Sequence, residues 1–252
     1  MRARIFAERC MKELLRDPLS WIFCLAFPLA MLGLMTLLYE SLPAEAAVII
    51  FRMDYLAPGI AVFSLSFVML FAALLIAKDR SSAFLTRLFI SPMLASDFLL
   101  GYTIPLCGIA LGQIAVTYIT ATAAARITGT PLSVADLGLS MLSLLPAVLL
   151  FIALGLLFGT LLSDKAAPGI ASIIISASSI LGGIWMDVDA IGGVLADICR
   201  VLPFYHAVRL GRAAVVGTDP QDTLISLAVV CGYAAASVIL AVFFFRRRMR
   251  EK

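Results

Sequence analysis

Charge is scarce in this chain. Only 14% of its 252 residues are Asp, Glu, Lys or Arg, and there is a single histidine, His206. The cysteines are odd in number and scattered (Cys10, Cys24, Cys107, Cys199, Cys231), so they make neither a disulfide framework nor a Cys/His metal site. A Gly-x4-Gly-Lys-Ser/Thr loop is missing. The nearest stretch, "GTLLSDK" at Gly159 to Lys165, lacks the second glycine and the hydroxyl residue after the lysine, so the chain has no phosphate-cradling loop of this type. Soluble domains are roughly 45–50% apolar and about 25% charged. Here 62% of residues are hydrophobic and the mean hydropathy is +1.06. Such a surface is poorly suited to water, and the lipid bilayer is the expected solvent.

Six apolar runs approach the roughly 20 residues that a bilayer crossing needs. They are 20–39, 56–77, 98–125, 139–162, 168–186 and 223–245, and none contains Asp, Glu, Lys, Arg or His. Backbone groups in lipid must be satisfied internally, so each run is expected to be helical. Pro105 predicts a kink or tilt in the long third run. An ion-coupled carrier usually needs an ionisable group within the membrane. Its absence from the runs counts against that class, and no nucleophile and base pair suggests an intramembrane protease.

Of the 19 Lys and Arg, fourteen fall in the leader, the second and fourth connections and the tail, against five elsewhere (Arg52, Arg126, Arg200, Arg209, Arg212). The positive-inside rule then puts both termini on the cytoplasmic side. The net charge of +3 is therefore a topology signal, and no nucleic-acid partner is expected. Ala44-Glu45-Ala46 resembles a signal-peptidase site. The long charged leader and the length of the first run argue against cleavage.

The leader, residues 1–18, places Phe6, Cys10, Met11, Leu14 and Leu15 on one helical arc and its charges on the other. This predicts an amphipathic helix in the inner interface, ended by Asp17-Pro18; a plain basic leader is the alternative. A charged island, 79–92, separates the second and third runs. Within it Phe84, Leu85, Leu88 and Phe89 make an apolar stripe bordered by Arg80 and Arg87. Ser81 or Ser82 is the candidate N-cap, and Pro92 ends the segment. A helix of this kind either lies on lipid or inserts into a partner's groove.

Small and polar residues inside the runs mark helix packing. Gly108/Gly112 and Gly155/Gly159 are Gly-x3-Gly pairs, read as contacts within the chain. Gln113, Thr117 and Thr120 suggest interhelical hydrogen bonds. Ser172, Ser176, Ser179 and Gly183 share one face of the fifth run, and Phe63, Phe67 and Phe71 make a stripe on the second. These either pack or face lipid, or they line a route. Between the last two runs, 187–217 reads as two short amphipathic helices broken at Pro203. Val194, Leu195, Ile198, Val201 and Leu202 form one apolar face, and Phe204, Ala207, Val208 and Leu210 begin another. His206 is expected to be a solvated surface residue.

A leader helix, six spans and a short helix between the second and third resemble the membrane subunit of a type-2 ABC exporter of the multidrug or antibiotic-resistance kind. Arg87-Leu88, Ser91-Pro92 and Leu99-Leu100-Gly101 stand where that family has its coupling loop and the start of its third span. Pro203, Tyr205 or His206, Arg212 and Gly217 follow its pattern before the last span. Ala83, Phe84 and Thr86 replace the family's Gly, Thr and Glu, and Met186-Asp187 stands where it has a proline.

The resemblance implies an all-α polytopic membrane protein of one domain, with a cytoplasmic coupling helix. Its ATPase contacts would be Arg80, Ser81, Phe84, Leu85, Arg87, Leu88, Phe89 and Pro92. The second and fifth spans would line the route, which makes Phe63, Phe67, Phe71, Ser172, Ser176, Ser179 and Gly183 pathway candidates, with an outer gate at Pro203, Phe204, Tyr205 and Arg212. It further implies no enzymatic activity and no cofactor on this chain, ATP and Mg being bound by a partner ABC ATPase. It also implies a homodimer or a heterodimer with a related permease, in the inner membrane of a prokaryote. An amphiphilic drug-like or lipid-like cargo fits the uncharged runs; a lipid-linked glycan or a nontransporting scaffold is the alternative.

Overall fold

The computed structural model describes residues 2–43, 48–82, 95–130 and 132–250, all of whose regular elements are helical. An amphipathic α1 (Arg2–Arg16) leads into α2 (Pro18–Ser41), which contains a wider π turn at Ile22–Ala26. A short 3-10 turn at Ile49–Phe51 precedes α3 (Met53–Ser81), and α4 covers Ala95–Thr128. Next come α5 (Val134–Ser143), α6 (Leu145–Leu161) and α7 (Ala167–Leu181). The short helices α8 (Val188–Ile191), α9 (Gly193–Val201) and α10 (Pro203–Arg212) lead to a π turn at Ala213–Gly217 and then α11 (Pro220–Arg250).

Helix α3 is the axis of the bundle. It packs against α2, α4, α6, α7 and α10, and α6 is held between it and α11. Its most apolar 18-residue window is 89% buried, against 22% for α2 and for α11. Gly155 and Gly159 make the closest seam. A Cβ at Gly155 would lie 2.6 Å from Ala72 Cβ and from the Met69 carbonyl, and one at Gly159 would lie 2.7 Å from the Ala73 carbonyl. The Gly155/Gly159 pair therefore packs within the chain as expected. In the other pair a Cβ at Gly112 would meet nothing within 4 Å, and one at Gly108 would meet only the end of the Met11 side chain of α1, at 3.3 Å.

Among the described residues four helices (α2, α3, α4 and α11) are long and apolar enough to cross a bilayer, and α5 with α6 makes a fifth if counted as one span bent by 42°. The bend falls at Leu144, ahead of Pro146, whose missing N–H interrupts the hydrogen-bond ladder. The fifth expected span, 168–186, is a 15-residue helix that ends at Leu181. At 1.5 Å per residue it is about 22 Å long, short of a roughly 30 Å hydrocarbon core. It stops because Gly183 takes a left-handed φ of +69°, while the Gly182 amide bonds back to Ser178. Polar residues start two of the other helices: Asp17 accepts the Leu19 amide at the head of α2, and Ser133 accepts that of Asp136 at the head of α5.

Candidate functional site

Three polar or aromatic clusters surround α3. The first is a clasp at its C-terminal end. Asp79, in the last turn and 1% exposed, accepts hydrogen bonds from Arg9 Nη1 and Nη2 (2.5 and 2.7 Å) and from Tyr102 Oη (2.8 Å). Arg9 also pairs with Glu13 (2.7 Å), and Glu13 with Lys78 (2.8 Å). The next residue, Arg80, donates to the carbonyls of Thr160 and Leu162, which end α6 and have no intrahelical partner. One turn of α3 thus holds α1, α4 and α6. The Asp79 carboxylate raises the Arg9 pKa, and burial pushes the Cys10 thiol up to about 12.

The leader helix meets protein on the arc that was expected to meet lipid. Phe6, Cys10 and Leu14 are buried, and Phe6 stands edge-on to Phe98 and Tyr102 with ring centroids 5.6 and 4.9 Å apart. Gly101 makes this possible, since a Cβ there would fall 2.3 Å from the Phe6 ring. Leu15 alone of the predicted arc is exposed. Ser81 and Ser82 differ from expectation too: their hydroxyls donate backward to the Lys78 and Asp79 carbonyls, finishing α3. Phe84, Leu85, Arg87, Leu88, Phe89 and Pro92 lie outside the described residues.

The second cluster is an aromatic seam. Phe63 and Phe67 are buried and stacked edge-on at 5.2 Å; Phe63 meets Trp185 (5.4 Å), and Phe67 meets Phe23 and Phe27 of α2. Phe71 is buried as well. Within the single chain this stripe is interior, so the lipid-facing alternative does not hold. The serines of α7 diverge. Ser179 turns inward and donates to the Ser176 carbonyl, Ser172 is exposed and bonds back to Pro168, and Ser176 is exposed. Gly183 is buried at the turn that brings Trp185 onto Phe63.

The third cluster lies near the N-terminal end of α3. Tyr205 donates to both oxygens of Asp189 (2.8 and 2.9 Å), and burial followed by this bond raises its pKa. Phe204 lies over Phe151 at 6.0 Å, and Pro203 is buried at the start of α10. Arg212 Nε donates to the Tyr55 carbonyl (3.1 Å) while its Nη2 has no hydrogen-bond partner among the described residues; burial pushes its pKa down to about 10. Ser140 and Ser143 donate to the carbonyls of Gly211 and Leu210, tying α5 to the end of α10.

Pro203 breaks this segment where the sequence predicted. On α9, however, Val194, Ile198 and Val201 face outward, and Ala196 and Cys199 pack inward. The smaller residues allow close approach to α10, which leaves the larger apolar face for lipid or a partner.

His206 is buried at 5% exposure, not solvated. Its Nε2 lies 2.8 Å from the Arg200 carbonyl, which can only accept, so Nε2 carries the proton and Nδ1 accepts from Ser226 Oγ at 3.0 Å. Burial lowers its pKa below 6.5, and the neighbouring Arg209 adds to this. A lowered folded pKa means that the unfolded chain takes up the proton first. The contribution is complete above about pH 6.5 and is lost as pH falls through that value towards the folded one. The unfolding midpoint of detergent-solubilised protein is expected to fall between pH 7.5 and 5.5, and to fall less in His206→Gln. An unchanged slope would assign the effect to carboxylates.

Sequence reading missed Asp79, Tyr102 and Trp185. Asp79 lay just beyond an apolar run, and its depth depends on where Arg9 folds back. Thr120 was expected to bond another helix but bonds its own at Val116. A family model described as "ABC-2 family transporter protein" matches residues 50–243, taking in α3 to α10 and most of α11. Among curated proteins no match is found.

Proposed function

The chain belongs to the ABC-2 transporter family, a family of membrane transport permeases, and from that premise we propose that it is the permease subunit of an ATP-driven exporter. A separate ABC ATPase hydrolyses ATP and docks on the segment 79–92. The observation that carries this reading is the clasp: the helix leading into that segment is also the central helix, and its last turn binds α1 through Arg9, α4 through Tyr102 and α6 through Arg80. A push on residues 81–90 would therefore act on the whole inner end. The aromatic seam of Phe63, Phe67 and Trp185 runs along the same helix and would open as α3 and α7 part.

Two copies are expected to pair about a two-fold axis, supported by the exposed apolar faces of α2 and α7, among them Leu37 and Ile173. Counting α5 with α6 as one span and α7 with its turn as another gives six crossings. The excess of Lys and Arg in the leader, in the second and fourth connections and in the tail supports cytoplasmic termini and an inner-membrane location. The apolar lining favours an amphiphilic drug-like or lipid-like cargo over a lipid-linked glycan. In a mild-detergent pull-down from the native host, wild type is expected to recover an ATPase and Leu88→Glu to lose it while still inserting in the membrane. An ATPase retained by the variant would refute docking at this segment, and none recovered with wild type would favour a nontransporting scaffold.

A further inference from the structure

Away from the seam and both clusters, a groove of about 370 Å³ lies between α1, the start of α2 and the middle of α4. That is within the usual range for small-molecule sites, roughly 300–1,000 Å³. Met11, Leu14, Trp21 and Cys24 form its apolar walls, and at Gly112 a side chain is missing where one would have open space. Gln113 also lines it. This side chain is 3% exposed, yet neither Oε1 nor Nε2 has a hydrogen-bond partner among the described residues. A carboxamide left unmet in apolar surroundings is costly, and the same cost becomes affinity for a molecule that satisfies it.

We propose that this groove binds an acyl amide drawn from the surrounding leaflet, its chain against the Gly108 to Gly112 side of α4 and its amide paired with Gln113. The chemistry selects the head group. Gln113 offers an acceptor and a donor side by side, and a primary amide, with one N–H syn to its C=O, returns a donor and an acceptor at matching spacing. An ester has acceptors only and would leave Oε1 unmet. A charged head would be desolvated with no counter-charge, since among the described residues no Asp, Glu, Lys or Arg lines the groove.

Trp21 provides the readout, because Trp185→Phe leaves it as the sole tryptophan of the two. In phosphatidylcholine nanodiscs, dibromostearamide is expected to quench Trp21 saturably, at about one-tenth the mole fraction needed by methyl dibromostearate. Gln113→Leu should abolish this difference. Gly112→Leu, whose side chain enters open space and should not disturb the fold, should abolish saturable quenching by both. Equal quenching of wild type by amide and ester, a preference that survives Gln113→Leu, or saturable quenching that survives Gly112→Leu would overturn the assignment. The groove lies apart from α3 and α7, so loss of the amide preference would leave ATPase co-purification, and the transport reading, untouched.

Discussion

Asp79→Ala is expected to release the leader helix from the bundle. The carboxylate is 2% exposed and is the shared acceptor for Arg9 and Tyr102. Removing one partner of a buried pair typically costs about 3–5 kcal/mol, because the groups left behind are desolvated without compensation. Arg9 is 34% exposed and keeps Glu13, which puts the cost near the lower end, about 3 kcal/mol. That corresponds to roughly a hundredfold larger population of the undocked helix. Cys10, 0% exposed beneath the same helix, reports it directly. In a variant with Cys10 as sole cysteine, maleimide labelling at pH 8 should be slow, since the thiol is both covered and pushed up to about 12. Asp79→Ala should accelerate labelling by about two orders of magnitude, and Asp79→Asn, which still offers Tyr102 an acceptor, by less. Slow labelling in the alanine variant would mean that the edge-on packing of Phe6 with Phe98 and Tyr102 holds α1 without the ion pair.

The second large effect separates two glycine pairs that look alike in sequence. At Gly155 and Gly159 a methyl group would strike backbone carbonyls of α3 at 2.6 and 2.7 Å, and backbone cannot turn aside as a side chain can. Gly155→Ala with Gly159→Ala should force α3 and α6 apart. Overpacking costs about 1–3 kcal/mol per site, more than the roughly 1 kcal/mol that alanine gains in helix propensity. The central helix loses its tightest neighbour, and gel filtration should show aggregation or a strongly lowered unfolding midpoint. Gly112→Ala, with open space at its Cβ, should be neutral or stabilising by up to about 1 kcal/mol. Equal effects at the two pairs would contradict the helix packing described above.

Composition and run length were enough to read an all-helical membrane chain with an amphipathic leader, because lipid demands apolar side chains and internally satisfied backbone wherever a helix meets it. Pro203 was legible as a break, since proline interrupts a helix whatever surrounds it, whereas the bend ahead of Pro146 was not foreseen in a run read as one span. Which Gly-x3-Gly pair makes a seam was not legible, since it depends on the azimuth at which α6 meets α3, a property of two helices together. His206 is buried for a similar reason: α10 folds onto α11 and brings Ser226 to it, 20 residues away. The α7 serines share a helical face in sequence, yet Ser179 is buried while Ser172 and Ser176 are exposed. Asp79 is the sharpest case. Local sequence reads it as a solvated island residue, and only the fold, by returning Arg9 from 70 positions away, makes it a buried anion with partners. Solvent class and helix propensity are written residue by residue. Pairing and depth arise from distant segments meeting, and those the tertiary structure alone decided.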